Sequence, residues 1–323
     1  MSVIRGFEGW PARPLHLAIG AFDGVHLGHQ ALVKRLCDGA RADRALAVTA
    51  SFDRLPIEIL APTAAPSALS DATERAELLT AAGADAVVLF RSDPALFAMS
   101  AREFVDRVQA AGEIRRIVVG PDFRFGHDRE GDVGLLAVLG KERGFAVDIV
   151  PSTLLGGEVI GSTRIRDLLV AGDVRGAARF LGRPYPVRGR IMHADDRGRA
   201  LGYPTISVAT PRERLLPRDG VYATWVTVAG TRHAAATSLS VRPLRRLLDS
   251  ALRDERVDVG DGGQRILESY VPGLAGDPHD GDVTVAFVER LRDVLHFGSA
   301  QASVRQIAHD IDTARRALAA ENG

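Results

Sequence analysis

The chain has 323 residues, 46% of them hydrophobic, and its 41 basic and 41 acidic side chains leave a formal net charge of zero. That length and apolar content suffice for two domains with a core each, while balanced charge without a dense basic run excludes nucleic acid as the main ligand. The single cysteine, Cys37, excludes an internal disulfide and a thiolate metal cluster, and MSVIRGFEGWPARP at the start lacks the apolar run of an export signal, so a cytoplasmic protein with no membrane partner is expected.

From the N-terminus, short apolar runs alternate with helix-like stretches. LHLAIG, ALAVTASF, DAVVLF, RRIVVG and AVDIVP read as strands. Between them, Gln30 to Arg41, DATERAELLTAAG and SAREFVDRVQAAG read as helices, the last two opening on Asp71 or Ser100 as N-caps and closing on Gly83 or Gly112. This alternation predicts an α/β domain over residues 1–183, an open parallel sheet with crossover helices. Helical character continues through STRIRDLLVAGDVRGAARFLGRPY. From about Val187 the texture changes to short alternating segments, VRGRIM, GVYATWVTV, HAAATSL and GDVTVAFVERL, which predict a small antiparallel sheet or barrel over residues 184–323. Near the end, Val304, Ile307, Ile311 and Ala314 fall near one face of a helix that can lie across that barrel.

The chemistry concentrates in Ala18 to Arg35, AIGAFDGVHLGHQALVKR. A strand ending in Gly20, a turn through Phe22, Asp23 and Gly24, and a helix beginning near Gly28 bring backbone N–H groups and a helix N-terminus to one point, which suits an anion. Gly28 leaves room for a base or a phosphate to approach the backbone. His26 and His29 can donate to a triphosphate and to the more negative phosphorus centre of a nucleotidyl-transfer transition state. The plain alternative is a pair of histidines capping a helix in solvent. A dinucleotide site is disfavoured, because no G-x-G-x-x-G is present.

GAFDGVHLGH resembles the G-x-F-D-G-V-H-x-G-H signature of the prokaryotic FAD synthetases, a two-module family whose first half transfers AMP from ATP to FMN. The resemblance implies a Rossmann-like nucleotidyltransferase sheet. It implies ATP binding by Gly20, Phe22, Asp23, Gly24 and Gly28, with His26 and His29 as catalytic residues and Mg²⁺ on the phosphates. GPDFRFG is similar to the family's G-x-D-F-R-F-G, which implies flavin binding by Asp122, Phe123, Phe125 and Gly126; two phenylalanines two apart are also ordinary core. GSTRIRDLL resembles the family's S-T-x-I-R helix opening, which implies that Ser162 and Thr163 contact ATP phosphates and that Arg166 spreads their charge. One departure falls in this half: the family's F-D-P-H-P stands here as Phe52, Asp53, Arg54, Leu55, Pro56.

The second half is similar to the riboflavin kinase module of the same family, which implies a small β-barrel. In RPYPVRGRIMHADDRGRALGYPTISV, Thr205 and Ser207 stand where the family holds Mg·ATP, Ser207 replacing an asparagine. Ala194 replaces a glycine, and Leu239 to Leu244 replaces I-G-x-R-P-T, so that Ser240 and Leu244 also depart. Glu268 falls at the position of the catalytic base that takes the proton of the riboflavin 5′-hydroxyl. FAD formation from FMN is therefore the expected activity, with riboflavin phosphorylation left open. Open alternatives are a relative acting on a modified flavin or another phosphorylated acceptor, and a flavin-binding regulatory protein.

Overall fold

The computed structural model describes residues 2–192, 205–242, 264–272, 274, 281–295 and 299–321; Ala194, Pro243 and Leu244 lie outside them. Five of the first six strands coincide with the apolar runs: β2 (Leu15–Ile19), β3 (Leu46–Phe52), β4 (Ala86–Phe90), β5 (Ile114–Val119) and β6 (Ala146–Ile149). An additional strand, β1 (Ser2–Arg5), pairs in parallel with β4. All pairings are parallel, in the order β1-β4-β3-β2-β5-β6.

Helices cover both faces of this sheet. On one, Leu17, Val88 and Ile117 meet Phe104, Val105 and Val108 of α5 (Ala101–Ala111) and Leu136 and Leu139 of α6 (Val133–Arg143). On the other, Ala18, Val87 and Val118 meet Leu32, Val33 and Leu36 of α1 (Leu27–Ala42) and Ala76 and Leu79 of α3 (Ala72–Ala81). Strand residues alternate between the two cores, as the two-residue period of a strand requires. Two short helices, α2 (Pro56–Leu60) and α4 (Pro94–Ala98), each begin on a proline, where the missing N–H costs nothing. Both expected caps form full capping boxes, Asp71 with Glu74 and Ser100 with Glu103.

After β6 comes a two-stranded hairpin, β7 (Leu154–Leu155) and β8 (Glu158–Val159), then α7 (Ser162–Ala171) and α8 (Val174–Leu181). The chain divides into two compact units, Met1–Ser162 and Thr163–Gly323. That division falls ahead of the expected boundary at Pro184, because α8 packs on the barrel strand that begins at Asp282.

In the second unit, β9 (Tyr185–Met192), β10 (Thr205–Ala209), β11 (Gly220–Val228), β12 (Thr231–Arg242), β13 (Gln264–Tyr270) and β14 (Asp282–Arg292) close into an antiparallel barrel in the order β10-β13-β12-β11-β14-β9. Three buried hydroxyls, Thr224, Thr237 and Ser269, satisfy one another in a chain with oxygen separations of 2.6 and 2.8 Å. The terminal helix α9 (Ala300–Glu321) buries Ile311, Ala314 and Leu318 against Ala223, Ala236 and Val288, and Ile307 packs beside them. Arg292 of β14 pairs with the buried Asp310 of α9, fixing the helix on the barrel.

Candidate functional site

Beyond the C-terminal ends of the parallel strands, the chain leaves β2 and β5 on either side of the point where strand order reverses. Open α/β sheets receive ligands in that crevice. The loop after β2 carries the glycine and histidine turn, and the loop after β5 carries Asp122 to Gly126.

His26 is the N-cap of α1. It is buried, and its Nδ1 accepts a hydrogen bond from the backbone N–H of His29 at 3.3 Å. Accepting at Nδ1 leaves Nε2 as the protonated nitrogen of the neutral ring. The His29 imidazole stacks on that of His26 with ring centres 3.6 Å apart and planes 15° from parallel, and it makes a T-shaped contact with the Phe22 ring at a centre-to-centre distance of 5.2 Å. Burial pushes the pKa of His29 well below its ordinary value, and the neighbouring His26 pushes the same way. Its Nδ1 is buried without a hydrogen-bond partner among the described residues. Two imidazoles thus stand side by side at a helix N-terminus, able to donate to an anion.

The glycines serve these rings. A Cβ on Gly28 would come within 3.2 Å of the His26 imidazole, and one on Gly20 within 3.3 Å of the Phe22 ring. A bare Gly28 therefore leaves room to seat the His26 imidazole. The turn is strained: Phe22 and Val25 have φ of 50° and 40°, beside Gly24 at 78°.

Asp23, expected to touch ATP, directs its buried carboxylate into the protein. It accepts from the N–H groups of Leu69 and Ser70 at 3.0 Å each and from the Ser70 hydroxyl at 3.1 Å. Ser70 Oγ in turn accepts from the Gly24 N–H at 2.8 Å. The buried Arg75 donates to the carbonyl oxygens of Ser70 at 2.7 Å and Phe52 at 2.6 Å. Neither Ser70 nor Arg75 was indicated by a motif. The available signal was Arg75 itself, on the same helical face as Ala76 and Leu79, where a cation needs buried acceptors.

The Ser162 hydroxyl donates to the Asp23 carbonyl at 3.0 Å, bringing the opening of α7 to the turn. Thr163 and Arg166 follow on that helix and belong to the second compact unit. In the loop after β5, Phe125 is buried in the core and stacks on the half-buried Phe123 with ring centres 5.4 Å apart. Phe125 thus takes the core role, and Phe123 and the exposed Asp122 are the parts of the motif that reach the surface. Gly126 has φ of 77°, and a Cβ there would stand 2.6 Å from the Ala101 nitrogen at the start of α5.

On the barrel, cross-strand register sets Ser207 opposite Glu268 and Thr205 opposite Tyr270 on adjacent strands β10 and β13. Ser238 on β12 is opposite Glu268 from the other side, a neighbour that linear spacing does not disclose. Directly opposed residues carry Cβ atoms roughly 5 Å apart on one face, so the carboxylate stands between two hydroxyls. Ser207 is buried and Glu268 half-buried.

A family model described as FAD synthetase matches residues 11–164, and one described as riboflavin kinase matches residues 181–318. A bifunctional riboflavin kinase/FMN adenylyltransferase of Pseudomonas fluorescens is 35% identical, covering 99% of this chain and 98% of the relative. The protein of that name from Escherichia coli strain K12 is 32% identical, covering 98% and 97%. Among solved structures, one described as a macrolide-efflux protein from Streptococcus pneumoniae superposes with a TM-score of 0.84 at 27% identity, covering 98% of this chain and 99% of that one. No helix among the described residues is long and apolar enough to cross a membrane. With both models matched in order and relatives aligned over nearly their whole length, the chain belongs to the bifunctional riboflavin kinase/FMN adenylyltransferase family.

Proposed function

We propose that this chain is a cytoplasmic FMN adenylyltransferase, converting ATP and FMN to FAD and pyrophosphate. The stacked pair of histidines at the α1 N-terminus carries this reading. An oxygen of the FMN phosphate attacks the α-phosphorus of ATP, a new P–O bond forms, and the bond to the β-phosphate bridging oxygen breaks to release pyrophosphate. A phosphate monoester has a second pKa of about 6, so the nucleophile is already ionised and needs no strong base. His26 and His29 act as donors to the charge that builds on the α-phosphate. Ser162, Thr163 and Arg166, at the opening of α7, steady the phosphates, and Phe123 with Asp122 meets the flavin.

The barrel unit phosphorylates riboflavin to FMN. The register that puts Ser207 beside Glu268, with Thr205 two residues along the same face, supports this second activity. Glu268 takes the proton of the 5′-hydroxyl as its oxygen bonds to the γ-phosphorus and ADP leaves. Hydroxyl oxygens next to a carboxylate suit a hard cation already bound to phosphate, so Thr205 and Ser207 are the residues that would hold Mg²⁺. The ion, when bound, supplies positive charge against the phosphate oxygens.

The test is incubation of the purified chain with Mg·ATP and either FMN or riboflavin, followed by chromatographic separation of the flavins. FAD from FMN, and FMN then FAD from riboflavin, are the expected products. Unchanged FMN overturns the first assignment, and unchanged riboflavin the second.

A further inference from the structure

We infer that Asp23, Ser70 and Arg75 form a positioning relay that holds the catalytic turn in its strained shape and ties it to the end of β3. The inference rests on the adenylyl-transfer reading of the turn and names the residues that set its geometry.

Phe22 and Val25 both hold positive φ, and Val25 is β-branched, for which that region is least favourable. Such a backbone persists where its surroundings over-determine it. Here they do so through one short segment. The Asp23 carboxylate receives the Leu69 and Ser70 N–H groups and the Ser70 hydroxyl, while the Ser70 oxygen receives the Gly24 N–H. The turn is gripped on consecutive residues from one side, three positions before the N-cap that carries the first imidazole. The relay then extends to β3. Arg75, on α3, reaches the Ser70 carbonyl with one guanidinium nitrogen and the Phe52 carbonyl with another. Phe52 is the last residue of β3, and Asp53, Arg54 and Leu55 follow it in the loop where the sequence departs from the family pattern. Leu69, Ser70, Asp23 and Arg75 are all buried, so these bonds are shielded from water and fixed in direction.

The three side chains bond to one another and to the backbone of the turn and of β3, so each acts through the turn. Weakening the relay loosens His26 and His29 relative to the reacting phosphorus without removing a substrate contact, and the loss falls on turnover rather than on binding. Ser70→Ala deletes one oxygen and breaks both of its side-chain bonds, and Ser70→Thr restores that oxygen. Steady-state FAD formation from Mg·ATP and FMN, with the thermal unfolding midpoint of each variant, is the experiment. For Ser70→Ala we expect kcat to fall about tenfold, with both KM values within about twofold of wild type. Ser70→Thr should recover most of the loss, and Asp23→Asn should behave like Ser70→Ala. Wild-type kcat in Ser70→Ala, a rise in KM at unchanged kcat, or failure of Ser70→Thr to recover activity overturns the relay. If the wild-type chain forms no FAD, the adenylyl-transfer reading fails and the relay falls with it.

Discussion

His29 is held neutral by burial and by a second imidazole at 3.6 Å, so its contribution is a directed N–H rather than a full charge. Removing one preorganised donor at a developing oxyanion costs about 10²- to 10³-fold in kcat. His29→Ala should lower FAD formation by that factor, measured at saturating ATP and FMN, with riboflavin phosphorylation unaffected. The histidines also make stability pH-dependent. His29 and the fully buried His16, which lies 3.0 Å from Asp43, both have folded-state pKa values lowered chiefly by burial. The unfolded chain therefore binds more protons than the native one as pH falls. The stability they confer is complete above the ordinary histidine value of about 6.5 and is lost as pH falls from there through the lower folded values. Thermal midpoints across that range should drop on acidification, and His16→Gln should reduce the drop. The histidine pair and its glycines were legible in GAFDGVHLGH, but their partnership was not. Asp23 meets residues 46 and 47 positions away, and no local pattern distinguishes a carboxylate that holds a turn from one that meets a ligand.

At the scale of elements, local chemistry matched tertiary structure wherever both favoured the same outcome. Strands β2 and β4 are buried along their whole length and β3 along all but its two ends, as their apolar runs require, and the two capping boxes mark helix starts without reference to the rest of the fold. Strand β1 was missed because Ser2–Arg5 is short, ends in arginine and lies at a sheet edge, where β4 alone supplies its partners. The Phe123 and Phe125 pair illustrates the opposite limit. Both rings pack on the same core cluster, but only Phe125 is buried, in contact with Phe104, while Phe123 stacks on it from the half-exposed side. Helix α9 depends on one charged contact as well as its apolar stripe, because Asp310 is buried with Arg292 and also accepts from Gln306 at 2.9 Å. Asp310→Ala leaves that guanidinium without its carboxylate at the barrel face. It should destabilise the second unit by about 2 kcal/mol, the usual value of hydrogen bonds to charged groups, read as a lower denaturant midpoint.

For the whole molecule, two compact units match two family models, and the two chemistries are assigned to different residues. Glu268→Gln keeps the shape of the side chain and removes the proton acceptor, so it should abolish or strongly reduce FMN formation from riboflavin while FAD formation from supplied FMN proceeds at the wild-type rate. Loss of both activities would mean that the units act as one. The barrel was legible as an architecture from alternating segments, whereas the row Ser207, Glu268 and Ser238 depends on register between strands far apart in sequence. The central assignment, adenylyl transfer at the α1 N-terminus, is tested most directly by following the phosphorus atoms. With FMN as acceptor, ATP labelled at the α-phosphate should place its label in FAD, and ATP labelled at the γ-phosphate should place its label in pyrophosphate, both slowed about 10²- to 10³-fold in His29→Ala. Label from the γ-phosphate in the flavin product, or no α-label in FAD, would contradict it.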